Sequence, residues 1–174
     1  MTLVLVFGDA FHLIPRILAA LDPAGNYAVS LGIGKMITSI TMTVFYVILY
    51  CIYEIRYSQK NTVLRAAVGL LALVRIMLCF MPQNDWTGAA PMIWGVYRNI
   101  PFTILGLIMV VLFFLKRDDK PYKWMWPAIT LSFAFYIPVV LWADVSPIIG
   151  MLMLPKTCMY MWMVVMGWKQ AKIK

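Results

Sequence analysis

The chain reads as an all-α, polytopic membrane protein, a compact bundle of six transmembrane helices with both termini cytoplasmic. Of its 174 residues, 63% are hydrophobic and the mean hydropathy is +0.84. That apolar share is well above the ~45–50% of soluble domains. The apolar residues gather into six runs, each about as long as a helix must be to cross a hydrocarbon core of ~30 Å. The basic residues collect in alternate connections between the runs, which is the asymmetry that membrane topology leaves behind.

The first run, 1–21, lacks a basic leader and a small-residue cleavage site, so it is expected to remain as a span. Asp22-Pro23-Ala24-Gly25-Asn26 turns the chain into the second run, 31–53. The charged stretch from Glu54 to Asn61 leads to the third, 64–81, and a connection from Pro82 to Tyr97 precedes the fourth, 99–116. Lys116 to Lys123 opens onto the fifth run, 124–143, and Ala143 to Ser146 onto the sixth, 147–168. No linker is long enough to separate a second domain, so 1–174 is read as one transmembrane domain.

Orientation follows from the cations. Arg56, Lys60 and Arg65 follow the second run, Lys116, Arg117, Lys120 and Lys123 the fourth, and Lys169, Lys172 and Lys174 the sixth. These segments are expected on the cytoplasmic side of a bacterial or other plasma membrane, where the Lys and Arg excess belongs. The opposite connections hold one basic residue, Arg98. Trp86, Trp94, Tyr97, Tyr122, Trp124, Trp126 and Trp168 sit at the ends of runs, as expected of rings anchored at headgroup level.

Polar residues inside the runs locate the candidate site, because a charge at the bilayer centre costs ~2.5–3.5 kcal/mol and so faces a bundle interior or water. Asp9, His12 and Arg16 share one face of the first helix at 3.6 residues per turn. Lys35, Thr38, Ser39, Tyr46, Tyr50 and Tyr53 form a polar stripe along the second. Arg75 lies in the third, and Arg98, Asn99 and Thr103 carry polarity into the fourth. Ser132 and Tyr136 are one turn apart in the fifth, and Met153, Lys156, Tyr160 and Met163 share a face of the sixth. Counted from the outer ends, Arg16 and Lys35 lie ~6–8 Å deep, Arg75 ~10 Å, His12 and Lys156 ~13–14 Å and Asp9 ~18 Å. Arg16, Lys35, Arg75, Arg98 and Lys156 outweigh Asp9, Asp85 and Asp144, which implies an electropositive cavity that opens outward. Pro15 and Pro155 directly precede buried cations, and each is expected to free a carbonyl one turn earlier, near Phe11 and Met151. Interrupted helices of this kind build substrate and ion sites in many transporters.

Other chemistries find little support. The net charge of +8 lies in short connections, without a clustered basic surface or a recognition motif for nucleic acid. Cys51, Cys79 and Cys158 form no CxxC pair, and with one histidine in the chain no zinc set, other metal site or cofactor is expected.

Three functional readings remain. The first is a transporter-like or receptor-like protein whose ligand is a small anionic solute or a lipid headgroup, bound by Arg16, Lys35, Arg75, Arg98 and Lys156 with Thr38, Ser39, Asn99 and Tyr160 alongside. Asp9 and His12 would then form a pair suited to proton coupling. The second is an intramembrane enzyme using Asp9 and His12 as acid and base and Lys156 as nucleophile. The third is a structural or accessory subunit, in which buried ion pairs fix helix register and the methionine-rich last span meets a membrane partner or a second copy. The segments GDAFHLIPRI, MPQNDW, YRNIPF and LPKTC stand out as motif-like.

Overall fold

Helices account for 86% of the described residues, and no strand occurs among them. The computed structural model describes residues 2–22, 25–88, 91–142 and 147–171, with Asp9 and Arg16 given by their backbone alone. Seven α-helices follow one another: α1 (Thr2–Leu21), α2 (Ala28–Tyr57), α3 (Thr62–Phe80), α4 (Met92–Leu115), α5 (Met125–Trp142), the single turn α6 (Pro147–Gly150) and α7 (Met153–Ala171). Two short 3-10 turns, Pro82–Asn84 and Lys120–Tyr122, precede α4 and α5. Among the described residues, α2, α3, α4 and α5 are long and apolar enough to cross a membrane, whereas α1 offers the shorter apolar stretch Thr2–Pro15.

Two elements differ from the sequence expectation. Helix α4 starts at Met92, inside the stretch expected to be a loop. Pro91 supplies a carbonyl that accepts from Trp94 and Gly95, so it opens the helix instead of interrupting it. The last run does not form one helix from 147. It forms α6, a turn at Met151 and Leu152, and then α7, in which Pro155 sits in the first turn. A proline there costs no interior hydrogen bond, since the first N–H groups of a helix have no intrahelical acceptor. The break therefore precedes Pro155 and is closed by hydrogen bonds from Leu152 to Ile149 and from Leu154 to Met151.

The chain divides into two compact units, Met1–Phe102 and Thr103–Lys174. In the first, α1 and α2 run antiparallel at backbone contact. A Cβ at Gly8 would overlap the Thr41 side chain, one at Gly34 the Phe11 carbonyl, and one at Gly32 the Trp86 carbonyl. Small residues allow such approaches, which in a bilayer replace the hydrophobic drive for helix association. Pro15 lacks the N–H that would serve the Phe11 carbonyl, and that carbonyl rests against Gly34, where a Cα–H can meet it. The Thr38 hydroxyl adds a direct bond to the Gly8 carbonyl at 2.9 Å.

Helices α2 and α3 form a hairpin. Ser58 ends α2 in the left-handed region at φ 50°, and the Asn61 side chain caps α3 by accepting from the Leu64 N–H at 3.1 Å. Arg65 Nε donates to both Glu54 carboxylate oxygens at 3.2 Å, and Tyr50 donates to the same carboxylate at 2.9 Å.

In the second unit α5 and α7 also run antiparallel. Trp124 stacks near Trp162 with ring centroids 6.4 Å apart, and at the other end Lys156 lies over Tyr136. Phe113 and Tyr122 pack at 5.6 Å, and the Phe133 ring fills the space that a Cβ at Gly106 would take.

The glycine contacts generate a paired prediction. Gly34→Ala should lower stability by about 1–3 kcal/mol, the usual cost of overpacking, because the obstacle is a backbone carbonyl. Gly69→Ala meets open space and should leave stability unchanged or raise it. Thermal unfolding of the two variants in detergent, followed by near-UV circular dichroism, measures the difference.

Candidate functional site

Four aliphatic hydroxyls of α2, those of Thr38, Ser39, Thr41 and Thr43, are engaged by backbone. Ser39 donates to the Lys35 carbonyl at 2.8 Å, Thr43 to the Ser39 carbonyl at 2.8 Å and Thr41 to the Ile37 carbonyl at 3.0 Å. This back-bonding satisfies a hydroxyl within its own helix. Thr38 and Ser39, both expected to touch a ligand, therefore have their protons on carbonyls and offer acceptor lone pairs only. Lys35 is half-buried beside them.

The buried cations of the first unit rest on rings and amides. Arg75 is 1% exposed, and its guanidinium carbon lies 3.5 Å from the centroid of the Phe102 ring. Tyr46 meets the same ring edge-on, with centroids 5.2 Å apart. A desolvated guanidinium on an aromatic face gains about 2 kcal/mol. His12 is buried as well.

Arg98 occupies a second cluster. Its Nη1 donates to Asn84 Oδ1 at 2.9 Å, and its guanidinium lies 4.3 Å from the Trp86 ring centroid. Asn84 is fully buried, and its amide nitrogen donates to the carbonyls of Leu78 at 2.6 Å and Met81 at 2.9 Å. Trp86 Nε1 donates to the Cys79 carbonyl at 2.9 Å. Those carbonyls lie at the C-terminus of α3, where the last four lack helical donors. The segment MPQNDW thus folds back over α3 as a cap, and Arg98 ties α4 to it. Asn99 turns its amide to the Gly95 carbonyl at 2.8 Å, within its own helix.

Lys156 and Tyr160 fall in the second unit. The Lys156 ammonium is 4% exposed and lies 4.3 Å from the Tyr136 ring centroid, 5.4 Å from that of Tyr160 and 3.8 Å from Met153 Sδ. Ser132, one turn before Tyr136, is fully buried, and its hydroxyl has no hydrogen-bond partner among the described residues.

Of the sequence candidates, the side chains of Asp9 and Arg16 lie outside the described residues, and so does Asp144. The described ones are His12 in α1; Lys35, Thr38 and Ser39 along α2; Arg75 in α3, on the Phe102 ring; Arg98 and Asn99 in α4, where Arg98 joins the cap; and Lys156 with Tyr160 in α7. Sequence reasoning missed Asn84, whose role depends on a backbone that curls back over six residues. For Trp86 the one available signal was its place directly after Asn84-Asp85, within a connection rich in turn formers. Tyr136 stood out with Ser132 as a polar pair one turn apart, but not as the ring beneath Lys156, and Phe102 gave no signal, because a ring beneath a cation looks like any other aromatic residue in an apolar run. Among the described residues no group of three metal-ligating side chains converges. Cys51, Cys79 and Cys158 are all free thiols.

The cap sets a stability expectation. Asn84→Ala removes two hydrogen bonds to the Leu78 and Met81 carbonyls and the acceptor of Arg98, so it should cost about 1–3 kcal/mol in a thermal melt. Arg65→Gln, at a bridge whose arginine is 58% exposed, should change the same melt much less. No protein-family model, curated protein or solved structure matches the chain.

Proposed function

We propose that the chain is a six-span membrane protein with both termini cytoplasmic, and that it receives an anionic group at buried basic side chains. The cavity opens away from the cytoplasm, and the ligand is a small solute or a lipid headgroup, handled as a transporter or receptor would handle it. Arg75 carries this reading. It lies within α3, a helix apolar enough to span a bilayer, and is 1% exposed. A guanidinium is an expensive residue to keep there. It lies on the Phe102 ring, and arginine is the side chain suited to gripping a carboxylate or phosphate bidentately. A structural role alone would be served as well by an apolar residue of similar volume.

Lys156 supports the reading as a second cation buried among rings. His12, one turn from Asp9 in α1, supplies the titratable partner for proton coupling. The topology rests on Arg56 and Lys169 in the last turns of α2 and α7 and on Lys60, Arg117, Lys120 and Lys123 in the connections after α2 and α4.

Native mass spectrometry of the detergent-purified protein tests ligand binding. The wild type should retain an anionic lipid or small anion that Arg75→Gln loses while keeping its helical circular dichroism. Equal retention by both proteins would remove Arg75 from the site. Topology is tested with single cysteines at Gln59, Gln83 and Asp118 in a chain with its native cysteines replaced by serine. A membrane-impermeant maleimide on intact cells should label only the Gln83→Cys variant, and the other two should react after permeabilisation.

A further inference from the structure

At the end of the second unit where α4 connects to α5, exposed cations are seated on exposed rings. Phe114, in the last turn of α4, packs edge-on against Trp126 with centroids 5.3 Å apart, and the Arg117 guanidinium lies 4.8 Å from the Phe114 centroid. Lys123 Nζ lies 5.6 Å from the Trp124 centroid, and Trp124 stacks near Trp162 of α7. Both cations are within the ~6 Å over which an aromatic face attracts a positive charge. The turn Lys120–Tyr122 packs against α7, so the connection and α7 meet along one surface.

The stack of Trp124 and Trp162 marks a level on this antiparallel pair. Tryptophan rings at a span's end settle among headgroups. Past Trp162, α7 runs on to Ala171, about 13 Å of helix at ~1.5 Å per residue. Lys169 lies in the last turn of that extension. Arg117, Lys120, Lys123 and Lys169 are all exposed. The same stretches expose the large apolar side chains of Phe114, Leu115, Trp124, Trp162 and Trp168. Charge is unbalanced as well: Lys116, Arg117, Lys120 and Lys123 stand against Asp118 and Asp119, and Lys169 adds to the excess. A soluble anion would use the cations and leave the rings in water, whereas acyl chains would cover the rings and leave the cations unused. A phospholipid with a net negative headgroup uses both.

We propose that this surface seats the headgroups of anionic phospholipids, with Arg117, Lys120, Lys123 and Lys169 at the phosphodiesters and Trp124 and Trp162 at the level of the glycerol esters. The proposal rests on the spans lying in a bilayer and draws on none of the buried cations. Arg117 offers the planar fork that suits a phosphate, and the lysines act as point charges. Each lysine or arginine held near an anionic leaflet adds an attraction that fades within a Debye length.

Spin-labelled lipids test the proposal on the full chain in phosphatidylcholine nanodiscs, with electron paramagnetic resonance reading the lipid held at the protein boundary. Wild type should favour labelled phosphatidylglycerol over labelled phosphatidylcholine about 5-fold, the weight of one surface cation, and the preference should fall as salt is raised. Arg117→Gln, Lys120→Gln, Lys123→Gln and Lys169→Gln combined should lose it while keeping the helical circular dichroism. Lys120→Arg, Lys123→Arg and Lys169→Arg combined should keep it, which separates loss of charge from loss of fold. Arg56→Gln with Lys60→Gln, at the connection from α2 to α3, should leave most of it in place. A preference that survives the four glutamine substitutions, that falls equally with Arg56→Gln and Lys60→Gln, or that ignores salt in the wild type overturns the proposal.

Discussion

A bilayer interior offers no water to a polar group, and every other feature of this protein answers to that constraint. Each hydroxyl, amide or charge carried into a span needs a partner supplied by the protein. The chain meets the demand with backbone first. Ser39, Thr41 and Thr43 turn their protons to their own helix, Thr38 crosses to α1, and Asn84 and Trp86 serve the open carbonyls at the end of α3. The cations are treated differently. Arg75, Arg98 and Lys156 each lie on an aromatic ring, which lowers the cost of desolvation without neutralising the charge. Hydroxyls and amides are thus bonded to backbone, while these three cations are seated on rings.

Much of the architecture was legible in the residues because membrane helices are written in composition. The runs that became α2, α3 and α5 lie close to the helices observed, and the hairpin between α2 and α3 falls where the charges and Asn61 indicated. The errors share one cause, the reading of proline and buried polarity as interruptions. The turn formers and charges between Pro82 and Tyr97 made the start of α4 look like a loop, yet Pro91 directly precedes the helix, and Arg98 within it bonds Asn84 and lies on Trp86. Pro155 looked like a mid-helix break, yet it lies in the first turn of α7, downstream of the actual interruption.

The site was legible in its charges and illegible in their surroundings. Arg75 and Lys156 announce themselves because a cation in an apolar run is rare and costly. What holds them is a matter of which ring comes within reach, and Phe102 is indistinguishable by sequence from the other aromatic residues of the apolar runs. The same limit applies to Ser132. Nothing in TLSFAFY marks its hydroxyl as the one that forgoes the carbonyl four residues back, since that choice is decided by packing across α5 and α7.

The interruption before α7 bears on how the polypeptide is made. Pro155, Lys156, Thr157 and Lys169 leave α7 outside the helices apolar enough to cross a membrane. Such a segment partitions poorly from the secretion channel into lipid when it emerges alone. Its ammonium is shielded once Tyr136 stands beside it, and Tyr136 belongs to the helix synthesised just before.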